Sequence, residues 1–134
     1  MAFRREIVAP PAPGLDAWVQ AGQWQSLAVT AAGFVFCSGI VAVDPATGER
    51  LHGTVASGTR QCFENLKLVL AAAGSSLDRL VQVHALIYDR IEYDNLNRVY
   101  RSFMPDAPPV RTAWSVQIQH GFRVELDVLA LAGK

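Results

Sequence analysis

The apolar residues between Thr54 and Gly74 keep a different period from those on either side, and this switch restricts the fold more than any other feature of the chain. Val55, Thr59, Cys62, Leu66, Val69 and Ala73 fall at i, i+4, i+7, i+11, i+14 and i+18, a single stripe along one α-helix. Thr54 is placed to cap its start and Gly74 to follow its end. On both sides the pattern is that of strands. Residues 27–30 and 34–38 form a β-hairpin about Ala31, Ala32 and Gly33, and the run continues through Gly39, Ile40 and Val41. Beyond the turn Gly74-Ser75-Ser76, residues 80–88 alternate, with Val81, Val83, Ala85 and Ile87 on one face and Gln82, His84 and Tyr88 on the other. A long helix flanked by strands excludes all-α and all-β architectures.

The remaining elements follow from the same signals. Residues 5–8 read as an edge strand, and the proline-rich stretch onward to Gln25 reads as a loop. Asp44-Pro45-Ala46-Thr47-Gly48 is a turn, with Pro presetting φ and Gly accepting a positive one. Asp89 and Glu92 have capping-box spacing ahead of a second helical stripe, Leu96, Val99, Tyr100 and Phe103, which Pro105 stops. Two alternating strands, residues 111–118 and 123–131, are joined through Gln119-His120-Gly121. The predicted order is β-β-β-α-β-α-β-β: an α+β fold with a mixed six-stranded sheet and two helices on one face, in a single domain over residues 1–134. The other sheet face needs a cover. With 51% hydrophobic and only 18% charged residues, a symmetric partner is the simplest one.

Twelve basic residues balance twelve acidic ones, so the chain lacks the electrostatic footprint of a nucleic-acid binder. No apolar run approaches the roughly eighteen residues of a membrane span, and the N-terminal arginines precede no apolar targeting segment; a cytoplasmic protein is expected. Cys37 and Cys62 have no metal-ligand spacing and read as small buried hydrophobes. Phosphate-binding glycine loops, HExxH and GxSxG are absent, and His52, His84 and His120 are far apart in sequence. Ser38 has no activating base nearby in sequence, which disfavours covalent catalysis.

Charged residues inside apolar strands carry more information. Arg111 opens a strand after Pro108-Pro109-Val110, and Glu125 and Asp127 punctuate Val124, Leu126 and Val128. A fixed guanidinium can clamp a carboxylate, and a nearby carboxylate can orient water or shuttle a proton. Composition and spacing alone favour the plainer reading, an edge arginine paired with an acid and two acids on a solvated face.

An ordered set of segments shifts that balance: SGIVAVDPATGE from Ser38, NLKLVLAAAGSSLD from Asn65, NRVY from Asn97, PPVRTAW from Pro108 and VELDVLAL from Val124. In this order and spacing the chain resembles the RidA/YjgF family of reactive-intermediate deaminases from about residue 24 to 131. The resemblance implies a chorismate-mutase-like α+β domain that forms homotrimers with clefts between subunits. It also implies hydrolysis of carboxylated enamines and imines to 2-keto acids and ammonia, without metal or organic cofactor. By the same resemblance Arg111 grips the substrate carboxylate and Glu125 orients water. Ser38, Gly39, Asn97 and Ala113 line the site, with Trp24 as its aromatic wall. Ile40 and Ala42 stand where many relatives carry Gln and Pro, and Ala113 where many carry Cys. With Trp18, Trp24 and Trp114, these differences imply a broader pocket. An aminomuconate-deaminase-like enzyme, or a trimer that binds metabolites without turning them over, is the alternative.

Overall fold

The computed structural model describes residues 5–21 and 24–133. Its six strands are β1 (Glu6–Ile7), β2 (Ala28–Ala31), β3 (Phe34–Cys37), β4 (Leu80–Ile87), β5 (Val110–Ser115) and β6 (Val124–Leu131). Three α-helices accompany them: α1 (Pro13–Gln20), α2 (Val55–Ala72) and α3 (Tyr93–Phe103). The sheet order is β1-β2-β3-β6-β4-β5, antiparallel throughout except for the parallel pair β4 and β5. The sheet is therefore mixed, as expected from the sequence.

Helix α2 realises the long stripe. Thr54 and Ser57 cap it reciprocally, with the Ser57 amide donating to Thr54 Oγ1 at 3.0 Å and the Thr54 amide to Ser57 Oγ at 2.9 Å. At its end Gly74 takes φ +70°, and the amides of Gly74 and Ser75 return to the carbonyls of Ala71 and Leu70 at 3.0 and 2.8 Å, closing a Schellman motif. Its fully buried residues include Cys62, Phe63, Leu66, Val69 and Leu70. Phe63 stacks on Phe103 with centroids 4.7 Å apart and meets Tyr100 edge-on at 5.5 Å, fastening α2 to α3. Truncating Phe63 to Ala would remove the centre of this contact, at a cost of about 3–5 kcal/mol. Against these helices lie Val83, Ala85 and Ile87 of β4 and Val124, Leu126, Val128 and Ala130 of β6, all buried.

One buried polar side chain on α2 bears on the site. Asn65 is wholly buried, and its Nδ2 donates to the carbonyls of Val41 and Val43 at 3.0 and 2.9 Å. It thereby holds the non-helical segment after Ser38 and Gly39 against the helix layer. Exchanging it for an apolar residue would leave the Val43 carbonyl without its donor, while the Val41 carbonyl would keep the one from the Val43 amide at 2.9 Å.

Three expectations need correction. Residues expected to form a loop contain α1, which starts with Pro at its first position. Its Trp18 packs edge-on against Phe122 and His120, and the Gly14 amide donates to Pro45 in the 44–48 turn. Asp89 and Glu92 form no capping box. Asp89 instead caps a short 3-10 turn, Arg90–Glu92, and Glu92 precedes α3 without a side-chain bond to its amides. The alternation of β4 also breaks at a bulge between Leu80 and Gln82, so Leu80 rather than Val81 joins the buried face. The second sheet face remains uncovered in the single chain. It carries Phe36, Trp114 and Leu131, at 46%, 46% and 41% exposure, together with the His84–Asp127 pair.

Candidate active site

Arg111 lies on the edge strand β5, opposite Val83, so its side chain leaves the sheet on the face that α2 and α3 cover. Helix α3 meets it with one row of residues. Arg111 Nη1 donates to Asn97 Oδ1 at 2.7 Å and Nη2 to the Tyr93 hydroxyl at 2.8 Å, while the guanidinium carbon sits 4.8 Å from the Tyr100 ring centre. Tyr93, Asn97 and Tyr100 fall at i, i+4 and i+7, the spacing of one helix face. Two fixed hydrogen bonds and a cation–π contact aim the guanidinium and leave donors over for an anion. Burial pushes the Tyr100 phenol up and the neighbouring Arg111 charge opposes that shift. Ala113 follows two residues along on the same face, and with Arg111, Tyr93 and Trp114 it lines a cavity of about 560 Å³. The plainer sequence reading, an arginine paired with an acid, does not hold. The ion pairs among the described residues leave Arg111 out.

Glu125 belongs to the other face. It lies opposite Leu86 on β4, and its carboxylate rests on Gly39, where an added Cβ would fall 2.7 Å from Glu125 Cδ. Only a residue without a side chain admits the carboxylate there. Backbone bonds between Ile40 and Leu126, at 2.7 and 3.0 Å, hold the two segments together. Burial raises the Glu125 pKa, and the like charge of Asp127 adds to the rise. Ser38 is fixed beside Gly39, with its hydroxyl donating to the Ser26 carbonyl at 2.6 Å and its amide to Leu27 at 2.9 Å. The Ser38 oxygen keeps a lone pair to accept with, but its proton is committed. Trp24 is 98% exposed at φ 54° and, with Ser26, Phe36 and Ser38, lines a cavity of about 530 Å³. Cys37 in the wall of that cavity has its thiol pushed up to about 12, chiefly by burial, and is no nucleophile at neutral pH.

The seven residues singled out in the sequence thus divide into two groups. Asn97, Arg111 and Ala113 form one; Trp24, Ser38, Gly39 and Glu125 form the other. Within one chain the groups do not meet. Strand β4 separates β5 from β6, which sets Arg111 and Glu125 two strands apart, opposite Val83 and Leu86, and on opposite faces. Sequence reasoning missed Tyr93, although its place four residues before Asn97 puts it on the same helix face. Trp18, expected from the sequence to broaden the pocket, shares a cavity of about 200 Å³ with Gly39, His120 and Glu125.

A family model described as endoribonuclease L-PSP matches residues 15–132. The mitochondrial protein mmf1 of Schizosaccharomyces pombe is 37% identical over 108 residues, 78% of this chain and 65% of that protein. A 2-iminobutanoate/2-iminopropanoate deaminase of Homo sapiens is 29% identical over 132 residues, 98% of this chain and 92% of that protein. Among solved structures, RidA from an Antarctic Psychrobacter superposes with a TM-score of 0.78 at 30% identity, covering 83% of this chain and 90% of that one. No helix among the described residues is long and apolar enough to cross a membrane. A match over nearly the whole length, on an α+β fold shared with solved relatives, means that this chain belongs to the endoribonuclease L-PSP family, the RidA/YjgF family.

Proposed function

We propose that this protein is a cofactor-independent imine and enamine deaminase whose clefts form between the subunits of a homotrimer. The observation that carries the reading is the division of the site. Arg111 is pre-aimed by Asn97 and Tyr93 on one sheet face, and Glu125 is seated on Gly39 on the other. Each is half of a hydrolytic site, and a second copy docking on the apolar uncovered face would bring one chain's Arg111 to another's Glu125. The human relative's name supplies the substrate class, a small imine carrying a carboxylate.

The chemistry follows from these groups. Arg111 holds the carboxylate by paired charge-assisted bonds, which turns the C=N carbon toward a water on Glu125. A carboxylate with a raised pKa is the stronger base. The imine reacts as its nitrogen-protonated iminium: as the water oxygen bonds to carbon, one water proton passes to Glu125 and the C=N π electrons move to nitrogen, giving a neutral carbinolamine. Glu125 returns that proton to the amine, the C–N bond breaks, and the carbinol proton leaves with ammonia as ammonium. The Ser38 oxygen and nearby backbone groups orient the intermediate. An enamine enters the same course after protonation at carbon.

The test generates 2-iminobutanoate or 2-iminopropanoate in situ and follows its loss, with light scattering on the same sample. Acceleration over buffer by a species of three times the 14.6 kDa chain mass is expected, with activity per chain falling on dilution. No acceleration, or full activity in a monomer, overturns the reading.

A further inference from the structure

The cavity beside Arg111 holds a second arginine that the deamination of a simple imino acid does not need. Arg90 opens the 3-10 turn after β4 and lines the same space of about 560 Å³, together with Ile87, Ile91 and Trp114. No acidic residue among the described residues lines it, and its two arginines give it two positive charges. The ion pairs among the described residues include neither arginine. The acids flanking Arg90 are turned to local partners: Asp89 accepts from the Ile91 amide at 3.0 Å and Glu92 from Asn95 Nδ2 at 2.6 Å. A single substrate carboxylate on Arg111 would neutralise one of the two charges.

We propose that Arg90 is a second carboxylate subsite, which makes the preferred substrates dicarboxylic imino or enamino acids. One carboxylate, next to the reacting C=N, sits on Arg111. The distal one reaches Arg90, and the carbon chain between them lies along Ile87, Ile91 and Trp114. The two arginines divide the work, since Arg111 is rigidly held for catalysis while the exposed Arg90 adapts to the length of the chain. This inference deepens the deaminase reading and rests on it for the identity of the bound molecule, but its test does not depend on turnover.

Binding of 2-oxoglutarate and 2-oxobutanoate, the keto acids of a dicarboxylic and a monocarboxylic imine, is measured by calorimetry on the full chain in its native assembly. The expected preference for 2-oxoglutarate is about tenfold. Arg90→Gln should bring the ratio of the two affinities close to one. Arg60→Gln, which removes an equal charge from the exposed side of α2, should keep it. A wild-type protein without the preference, an Arg90→Gln variant that retains it, or an Arg60→Gln variant that loses it equally overturns the subsite. Rates with 2-iminoglutarate and 2-iminobutanoate are taken in parallel. If neither imine is accelerated while the binding ratio still depends on Arg90, the deaminase reading falls and the subsite stands.

Discussion

Because Arg111 and Glu125 leave the sheet on opposite faces, two inactive variants should repair each other when mixed in one assembly. In the proposed homotrimer Arg111→Ala would remove the clamp and Glu125→Gln the base, so that each variant alone would have every cleft incomplete. In the proposed ring of three, each cleft would take its Arg111 from one chain and its Glu125 from the neighbour. A trimer with both variants, in either ratio, therefore has one junction out of three where an intact Arg111 meets an intact Glu125. Purified mixed trimers should recover about a third of wild-type activity, and a random equimolar mixture about a quarter. Each parent should lose about a hundredfold, the loss expected when a reactant is no longer oriented. The variants are co-expressed with different affinity tags, mixed trimers are isolated by sequential capture, and imine loss is followed against both parents. Mixed trimers as inactive as their parents would refute the shared cleft.

Three further outcomes follow from the same geometry. The raised pKa of Glu125 places the acid limb of the kcat/KM profile above the ordinary carboxylate range, with activity lost as pH falls through it. Glu125→Gln should remove that limb; and because its folded pKa is raised, Glu125 favours the folded state below pH 4.5 and loses that contribution as pH rises, so the variant should melt no lower than the parent at neutral pH. Gly39→Ala would displace the Glu125 carboxylate and should lower kcat by about a hundredfold while far-ultraviolet circular dichroism stays unchanged; activity within about twofold of the parent would contradict the seat described for Glu125. Tyr93→Phe keeps the ring but removes the hydroxyl that accepts from Arg111 at 2.8 Å, and should raise KM about three- to tenfold with a smaller change in kcat. An unchanged KM would show that Asn97 alone aims the guanidinium.

How far the sequence reading reached depended on whether each feature was local. Helix α2 was legible because periodicity, cap and stop all lie within its own span. Helix α1 was missed because its start is written in prolines, which read as loop, although Pro13 at the first helical position and Leu15, Trp18 and Val19 behind it were the available signal. Alternation did indicate that Glu125 and Asp127 share a face. What it could not supply was the insertion of β4 between β5 and β6, because strand order is set by pairings between segments far apart in the chain. The resemblance implied clefts between subunits without saying which residues each chain contributes to one side, and the register divides them between two faces. The residue types at Ser38, Asn97, Arg111 and Glu125 came from the family resemblance. Their division between two faces came only from the register.

Strand β6 lies in the middle of the sheet although it follows every other strand in the chain. During synthesis, β2 and β3 on one side and β4 and β5 on the other emerge before the strand that joins them. The nascent chain therefore carries two unpaired inner edges, on β3 and on β4, which invite pairing with other chains until β6 arrives. The sheet can close only once β6 is available to sit between them, with Glu125 opposite Leu86 and Leu126 packed beneath α2. Ribosome-bound chains halted before Val124 should be readily cut by protease, and chains whose β6 has cleared the exit tunnel should resist. Protection that precedes the release of β6 would show that the sheet closes by another order.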